Sequence, residues 1–302
     1  MAELVSGQRR PVEAARSVVG IDALQPELGP LFVAVGVFDG LHRGHLYLLR
    51  QLRLAARRHA ARPAVVTFDA HPDEVIRGAA PPLLCDPDER LVRLAAAGVE
   101  VTVVQHFDEA LRRTTYDEFV ARIRDRTALR GILMTPDAAF GYERAGTPEA
   151  LAELGRAWGF EVVVVPPLLV EGRQVRSSEI RREVGAGDLA AARRLLGRSL
   201  SIVGTRRPDG AAEDRRSARL TFPVPVALPP AGRYRVAVGP AWRPGEEPLS
   251  VAVDAVATLG DEREPGAGLG LDAADGLPPG DRLRVVLERR LRSVRGSPSK
   301  VA

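Results

Sequence analysis

The stretch from Leu31 to His45 limits what this chain can fold into more than any other part of it. Leu31-Phe32-Val33-Ala34-Val35 is an unbroken apolar run of strand length, the pattern of a strand buried on both faces. Gly36-Val37-Phe38-Asp39-Gly40-Leu41-His42-Arg43-Gly44-His45 follows it directly. Further on, His45, Leu49, Leu52 and Ala56 fall on one helical stripe, so the order is strand, glycine-rich turn, helix. Glycines let a backbone approach a ligand closely, and the free N–H groups of a helix N-terminus favour a phosphate. His42 and His45 stand one turn apart at that terminus and can donate hydrogen bonds to the same oxyanion. A bare His-x-Gly-His is weak evidence, because paired histidines near turns are commonplace. With a buried strand before it and Phe-Asp-Gly inside it, the segment reads as a ligand site.

Composition narrows the setting. A chain of 302 residues can bury one large core or two smaller ones. No stretch approaches the ~20 apolar residues of a membrane span. Met1 to Gly20 lacks the apolar core of a signal peptide, so no membrane association is expected. Cys85, the single cysteine, fits a reducing cytoplasm and reads as a small buried hydrophobe. The net charge of +4 is modest. The arginine runs Arg122 to Arg130 and Arg289 to Arg295 read as solvated faces rather than nucleic-acid contacts. Lys300 is the only lysine, which excludes one class: a class I aminoacyl-tRNA synthetase carries a similar histidine turn but pairs it with a lysine-containing loop. Composition leaves the oligomeric state open, a homo-oligomer included.

Along the first two thirds, strand and helix patterns alternate. Ala64 to Phe68, Val99 to Val104, Ile132 to Met134 and Val162 to Val165 are short β-rich runs, and helical segments lie around Arg90 to Ala97, Tyr116 to Ile123 and Glu149 to Trp158. Thr147-Pro148 is an N-cap with proline at the first helical position, and Gly159 closes that helix. The alternation implies an α/β fold, a Rossmann-like parallel sheet with helices on both faces. Ligands gather beyond the carboxyl ends of such strands, where Gly36 to His45, Thr67 to Pro72 and Thr135 to Gly141 all fall. After Gly204 the texture changes. Thr205 to Ser217 reads as a linker or mobile loop. Period-two alternation follows at Leu220-Phe222-Val224, Tyr234-Val236-Val238, Leu249-Val251-Val253 and Leu283-Val285-Leu287. Gly260 to Gly280 reads as a long loop. We therefore expect an α/β domain over 1–204 and a small all-β, barrel-like module over 205–302.

With these pieces placed, the chain resembles the prokaryotic bifunctional riboflavin kinase/FMN adenylyltransferase (FAD synthetase) family from about Leu31 to Gly204. Gly36-x-Phe38-Asp39-Gly40-x-His42-x-Gly44-His45 matches the family's nucleotide signature, and Val66-Thr67-Phe68-Asp69-x-His71-Pro72 its second loop. Asp137-x-x-Phe140-Gly141 with Arg144-x-Gly146 matches the third. Ser177-Ser178-x-Ile180-Arg181 resembles the closing element, and Gly187-Asp188 to Gly197-Arg198 the stretch after it. The departures are equally specific. Val37 stands for the family's asparagine, Thr135 for a glycine, Ala138 for an aromatic residue and Arg176 for a serine. In the second module, nothing between Gly204 and Pro229 resembles the kinase's Gly-rich segment ending in Pro-Thr-Ala-Asn, and Ala252 falls where its catalytic glutamate is expected.

The resemblance implies transfer of AMP from ATP to FMN, with Mg2+ bridging phosphates and no riboflavin kinase activity. It implies His42 and His45 on the α- and β-phosphate oxygens, and Arg181 with Ser177 and Ser178 on the distal ones. Gly36, Phe38 and Gly44 would form the nucleotide turn. Asp39 is either part of that turn or a carboxylate capping the His42 helix. The flavin side would comprise Phe68, His71, Pro72, Asp137 and Phe140, with Phe140 against the isoalloxazine ring and Asp137 hydrogen-bonded to it. His71-Pro72 either lines the flavin phosphate entry or shapes a turn. No protein metal ligand is assigned, and His59 and His106 are read as structural. Two alternatives stay open: another phosphorylated acceptor, motivated by Thr135, Ala138 and Arg176, or a non-enzymatic flavin or nucleotide scaffold. The second module would brace the first or form a subunit interface.

Overall fold

The computed structural model describes residues 15–207, 216–246, 252–260 and 268–291. Six parallel strands form the first sheet: β1 (Arg16–Val19), β2 (Leu31–Val35), β3 (Arg62–Phe68), β4 (Val101–Gln105), β5 (Leu129–Met134) and β6 (Glu161–Val164). Their order is β1-β4-β3-β2-β5-β6, so the winding direction reverses between β2 and β5. Connecting helices are α1 (Arg43–Arg58), α2 (Pro72–Arg77), α3 (Pro87–Ala96), α4 (Glu109–Arg113), α5 (Tyr116–Arg124) and α6 (Pro148–Trp158). The unbroken apolar run of β2 has its reason here: Leu31 and Val33 enter one core with Val120 and Leu151, while Phe32 and Ala34 enter another with Leu49 and Leu52. Gly131 keeps β5 close to β2, because a Cβ there would lie 2.3 Å from the Phe32 ring. As the sequence indicates, Thr147 caps α6 by accepting the Ala150 N–H, and Gly159 ends it at φ 79°.

A short hairpin, β7 (Leu169–Val170) with β8 (Arg173–Gln174), leads into α7 (Ser177–Gly185) and α8 (Leu189–Leu196). Six antiparallel strands then close a barrel: β9 (Ser201–Arg206), β10 (Ser217–Thr221), β11 (Gly232–Pro240), β12 (Val253–Leu259), β13 (Leu269–Asp272) and β14 (Arg282–Arg290), in the order β10-β13-β12-β11-β14-β9. Ile180, Val184, Leu189 and Leu196 share one core with the barrel residues Tyr234, Val236, Leu271 and Val285. The helices that follow the α/β sheet are thereby packed as part of the barrel.

Several local expectations change. Position 204 falls inside β9, and Thr205 and Arg206 belong to that strand rather than to a linker; residues 208–215 lie outside the described residues. Most of the strand expected over Leu249 to Val253 lies outside the described residues, which omit 247–251; β12 is described from Val253 to Leu259, with Ala252 exposed just before it. Gly260 to Gly280 is not wholly loop: β13 lies within it, its inward side only Leu269 and Leu271. Two apolar residues around Gly270 are too short an alternation to stand out. β1 has alternation weaker still, with Val19 exposed. Of the arginine runs, Arg122 and Arg126 pair with Asp22, and Arg124 lies over Trp158; 292–295 are outside the described residues.

A charge cluster joins α3 to the barrel. Glu89, fully buried, accepts at Oε1 from Arg93, from Arg284 Nε at 3.2 Å and from Ser201 Oγ at 2.6 Å. The Arg93 and Arg284 guanidinium groups lie 4.9 and 4.0 Å from the Trp242 ring centroid. Arg282 adds bonds to Asp86 and Asp88 at the start of α3. Removing one partner of a buried ion pair strands the others without compensation, at a cost of about 3–5 kcal/mol. Glu89→Gln is therefore expected to lower unfolding free energy by ~3 kcal/mol or more in urea titration. Arg235→Ala, at a residue whose ion pairs among the described residues are with the exposed Asp254 and Glu288, should stay within about 0.5 kcal/mol. Equal effects from the two variants would refute a joint centred on Glu89.

Candidate active site

The crevice of an open parallel sheet lies at the carboxyl edge where strand order reverses, here between β2 and β5. Leaving β2, the chain makes a strained turn: Phe38, Gly40 and Leu41 have φ of 52°, 84° and 40°. For Phe38 and Leu41 such backbone costs on the order of 1–3 kcal/mol each and survives only where neighbours enforce it. The neighbours act on the turn's carbonyls. Thr67 Oγ1 and Arg90 Nη1 donate to Val37 O at 3.0 and 3.1 Å, Ser177 Oγ to Asp39 O at 3.0 Å, and Arg198 Nη2 to Gly40 O at 3.0 Å. Arg90 Nη2 also donates to Phe68 O at 2.6 Å, tying the end of β2 to the end of β3.

His42 caps α1 itself: its Nδ1 accepts the His45 backbone N–H at 3.2 Å. With Nδ1 accepting, the ring proton of the neutral imidazole sits on Nε2. The two imidazoles stack with centroids 3.6 Å apart and planes 16° apart, and Phe38 packs against His45 at 5.2 Å. Gly44 makes room, since a Cβ there would lie 3.1 Å from the His42 ring and 3.2 Å from the Val175 carbonyl. Burial first, then the charges of Arg198 and Arg181, lower the His42 pKa from 6.5 to about 4. Burial and the neighbouring His42 hold His45 well below its ordinary value. Near neutral pH both rings are therefore uncharged hydrogen-bonding groups. Buried His45 Nδ1 has no hydrogen-bond partner among the described residues.

Two cavities open on this edge. The first, of about 290 Å³, is lined by Gly36, Phe38, His42, Gly44, His45 and Ser177, together with Thr135, Asp137, Gln174 and Arg176. The second, of about 580 Å³, is lined by Phe68, His71, Pro72, Phe107, Phe119, Phe140 and Tyr142, among others. Its aromatic wall is braced by Phe68 against Phe107 and Phe119 against Phe140, each pair 5.3 Å apart. Val35, Gly36 and Val37 line both cavities. His71 also caps α2, accepting the Asp73 N–H at 3.1 Å, so lining the cavity and shaping the turn are compatible.

Other sequence candidates sit elsewhere. Asp39 does not cap α1: its carboxylate, 3% exposed, accepts from Leu84 N at 3.0 Å, Cys85 N at 3.2 Å and Arg181 Nη2 at 2.6 Å. Arg181 also donates to Pro82 O at 2.7 Å, and Asp39, Ser178 and Arg181 line neither cavity. Asp137 lines the histidine cavity rather than the aromatic one. It accepts from Thr135 Oγ1 at 2.8 Å and from Arg176 Nη2 at 3.0 Å, and Arg176 donates to Gln174 Oε1 at 2.7 Å. Two departures from the family pattern, Thr135 and Arg176, thus meet on one carboxylate. A third, Ala138, packs against the core. His59 and His106 pair with Glu161 and Asp69, outside both cavities. Burial and the charge of Glu89 push the Cys85 thiol up to about 12, which fits an inert core residue.

Sequence reasoning missed Arg90, Thr67 and Arg198 as supports of the turn. Arg198 stands in the stretch that resembles the family, which is a usable signal; Arg90, 53 positions from its partner Val37, carries none. Among the described residues, no cluster of three or more His, Cys, Asp or Glu side chains is placed to hold a metal. The carboxylates near the histidines, Asp39 and Asp137, are engaged by Arg181 and Arg176. These residues do not make a protein-held magnesium site. Mg2+ bound to nucleotide phosphates belongs with the substrate.

A parallel six-stranded α/β domain followed by a six-stranded antiparallel barrel is the class that these elements define. The FAD synthetase family model matches residues 24–179, and the chain belongs to that family. It is 31% identical over 188 residues to the bifunctional riboflavin kinase/FMN adenylyltransferase of Pseudomonas fluorescens, covering 62% of this chain and 60% of that protein. The protein of the same description from Listeria monocytogenes is 27% identical over 196 residues, covering 64% and 60%. The matches thus span well short of the relatives' full length. A solved structure described as a macrolide-efflux protein from Streptococcus pneumoniae shares the architecture, with TM-score 0.76 and 24% identity over 95% of this chain and 94% of that one. No helix among the described residues is long and apolar enough to cross a membrane.

The histidines make stability depend on pH. Between pH 6.5 and about 4 the unfolded chain protonates His42 while the folded chain holds it neutral, so the unfolded state binds more protons. Stability is then complete above pH 6.5 and falls as pH drops, by up to ~1.4 kcal/mol per unit from this group. His45 and His71 act in the same sense, whereas exposed His106, raised by Asp69, opposes them. Denaturant midpoints from pH 7 to 4.5 should show this decline, and His42→Asn should flatten it. An unchanged slope in that variant would refute the assignment to His42.

Proposed function

We propose that this chain transfers the adenylyl group of ATP to FMN, yielding FAD and pyrophosphate. The observation that carries this reading is the shared wall: the cavity with the histidine pair and an aromatic cavity meet at Val35, Gly36 and Val37. A transferase that joins two ligands needs two such compartments with one point of contact. The histidine compartment suits the nucleotide and the aromatic one the flavin ring, which stacks on aromatic side chains. The FMN phosphate attacks the α-phosphorus in line, and the bond to pyrophosphate breaks as the new one forms. Catalysis of this kind is mostly positioning and stabilisation of growing negative charge. His42 and His45 donate to the phosphate oxygens as that charge grows, and neutral rings bind without competing as bases at pH 7. Gly36, Phe38 and Gly44 shape the turn, while Asp39 and Arg181 act behind it. Cytoplasmic FMN and ATP are the small-molecule partners in this reading.

One observation favours a second reading. Asp137 lines the histidine cavity, so the aromatic compartment lacks the carboxylate that the family resemblance would give the flavin ring. A different phosphorylated acceptor would then serve. A thermal-shift panel of FMN, riboflavin and phosphorylated alcohols with ATP and magnesium separates the two, because a ligand specific to the folded state raises its melting temperature.

Incubation with ATP, FMN and magnesium is expected to yield FAD and pyrophosphate by chromatography. Folded protein that makes no FAD at high substrate would transfer support to the second reading. His45→Ala should lower kcat by ~10²–10³ with little change in ATP KM, as for loss of one donor acting on the transition state. Unchanged turnover would remove His45 from the chemistry. The barrel is proposed to lack kinase activity, so riboflavin, ATP and magnesium should give no FMN. FMN formation in that assay would place the kinase base on a strand other than the one beside Ala252.

A further inference from the structure

The histidine cavity is lined by one guanidinium among the described residues, and it is not that of Arg181. Arg176 lines the cavity beside Ser177, His42 and His45, and Arg181 does not. Their partners differ in what it takes to release them. Arg181 holds Asp39, a carboxylate 3% exposed, and breaking that pair would leave a buried charge without compensation. Arg176 holds Asp137, and both side chains are about half exposed, at 54% and 52%. Such a pair contributes little to stability and exchanges readily for a stronger anion.

The position of Arg176 adds an independent argument. It is the N-cap of α7 and its side chain makes no capping hydrogen bond. Ser, Thr, Asp or Asn at an N-cap would satisfy a free N–H of the first turn, and arginine forgoes that gain. Residues that break a local rule mark sites where something else compensates. Here the guanidinium is aimed across the cavity at Asp137, and the cap it does not make leaves α7's first turn open to an anion.

We propose that Arg176 is the residue that grips the polyphosphate of the nucleotide in this chain, exchanging Asp137 for phosphate oxygens, while Arg181 only positions Asp39. A planar guanidinium offers paired N–H donors to a phosphate. The inference rests on placing the nucleotide in the histidine cavity, though not on which acceptor follows.

The test compares the affinities of magnesium-ATP and adenosine by isothermal titration calorimetry, since their ratio isolates the polyphosphate contribution. Arg176→Ser restores a good N-cap, so this variant should melt no lower than wild type. Its preference for ATP over adenosine should nevertheless fall about tenfold or more, the loss expected for a charged hydrogen bond. Arg176→Lys should recover part of the preference. Arg181→Lys should lower the melting temperature and leave the preference within about twofold. A wild-type ratio retained by Arg176→Ser would overturn the proposal even if FAD is formed. A wild-type protein that prefers ATP but makes no FAD would leave Arg176 in its role and sink only the FMN reading. No preference for ATP in wild type would overturn both.

Discussion

The site depends on a turn that would not hold its shape alone. Between β2 and α1 the backbone passes through left-handed φ at Phe38 and Leu41 as well as at Gly40. The carbonyls of Val37, Asp39 and Gly40 each accept from a side chain remote in sequence: Arg90 on α3, Ser177 on α7 and Arg198 after α8. Strain of a few kcal/mol is tolerable only when distributed over contacts of this kind. The consequence is positional. With the turn fixed, His42 caps α1, its ring stacks on His45, and both face the cavity that Gly36 and Ser177 help to line.

The barrel enters through the same contacts. Leu83 pairs with Val226, exchanging backbone bonds with Pro225 and Ala227. The next two residues, Leu84 and Cys85, donate their N–H groups to Asp39. A continuous hydrogen-bonded path therefore runs from a barrel loop to the carboxylate that holds Arg181. The apolar face of α7 is buried in the barrel core while its N-terminus carries Arg176 and Ser177 to the cavity. Glu89 fastens α3, the helix of Arg90, to β9 and β14. The turn is thereby tied to the barrel through Leu83, α7 and α3.

The legibility of the sequence follows the range of the interactions. Strand β2, the turn and α1 were readable because periodicity and glycine placement act within a few residues. The same holds for α6, whose Thr147 cap and Gly159 stop are local chemistry. Barrel strands β11 and β14 are long enough for alternation to show, whereas β13 has two inward leucines and does not. Asp39 is the instructive case. Local rules offered it a capping role, but His42 takes the cap and Asp39 turns inward to partners 45 and 142 positions away. No periodicity encodes contacts of that separation.

Arg176 shows how the same limit works in the other direction. In sequence it was only a departure, an arginine where the family has a serine, and it counted as a reason to doubt the acceptor. In three dimensions it meets another departure, Thr135, on the carboxylate of Asp137, 39 positions away. Under the proposed function, Arg176 is a cation in the nucleotide's compartment, and Asp137 lines that compartment rather than the aromatic one. The turn that positions the histidine pair is held largely from behind: Arg90 and Arg198 line neither cavity, and Ser177 alone of its side-chain supports reaches the histidine one.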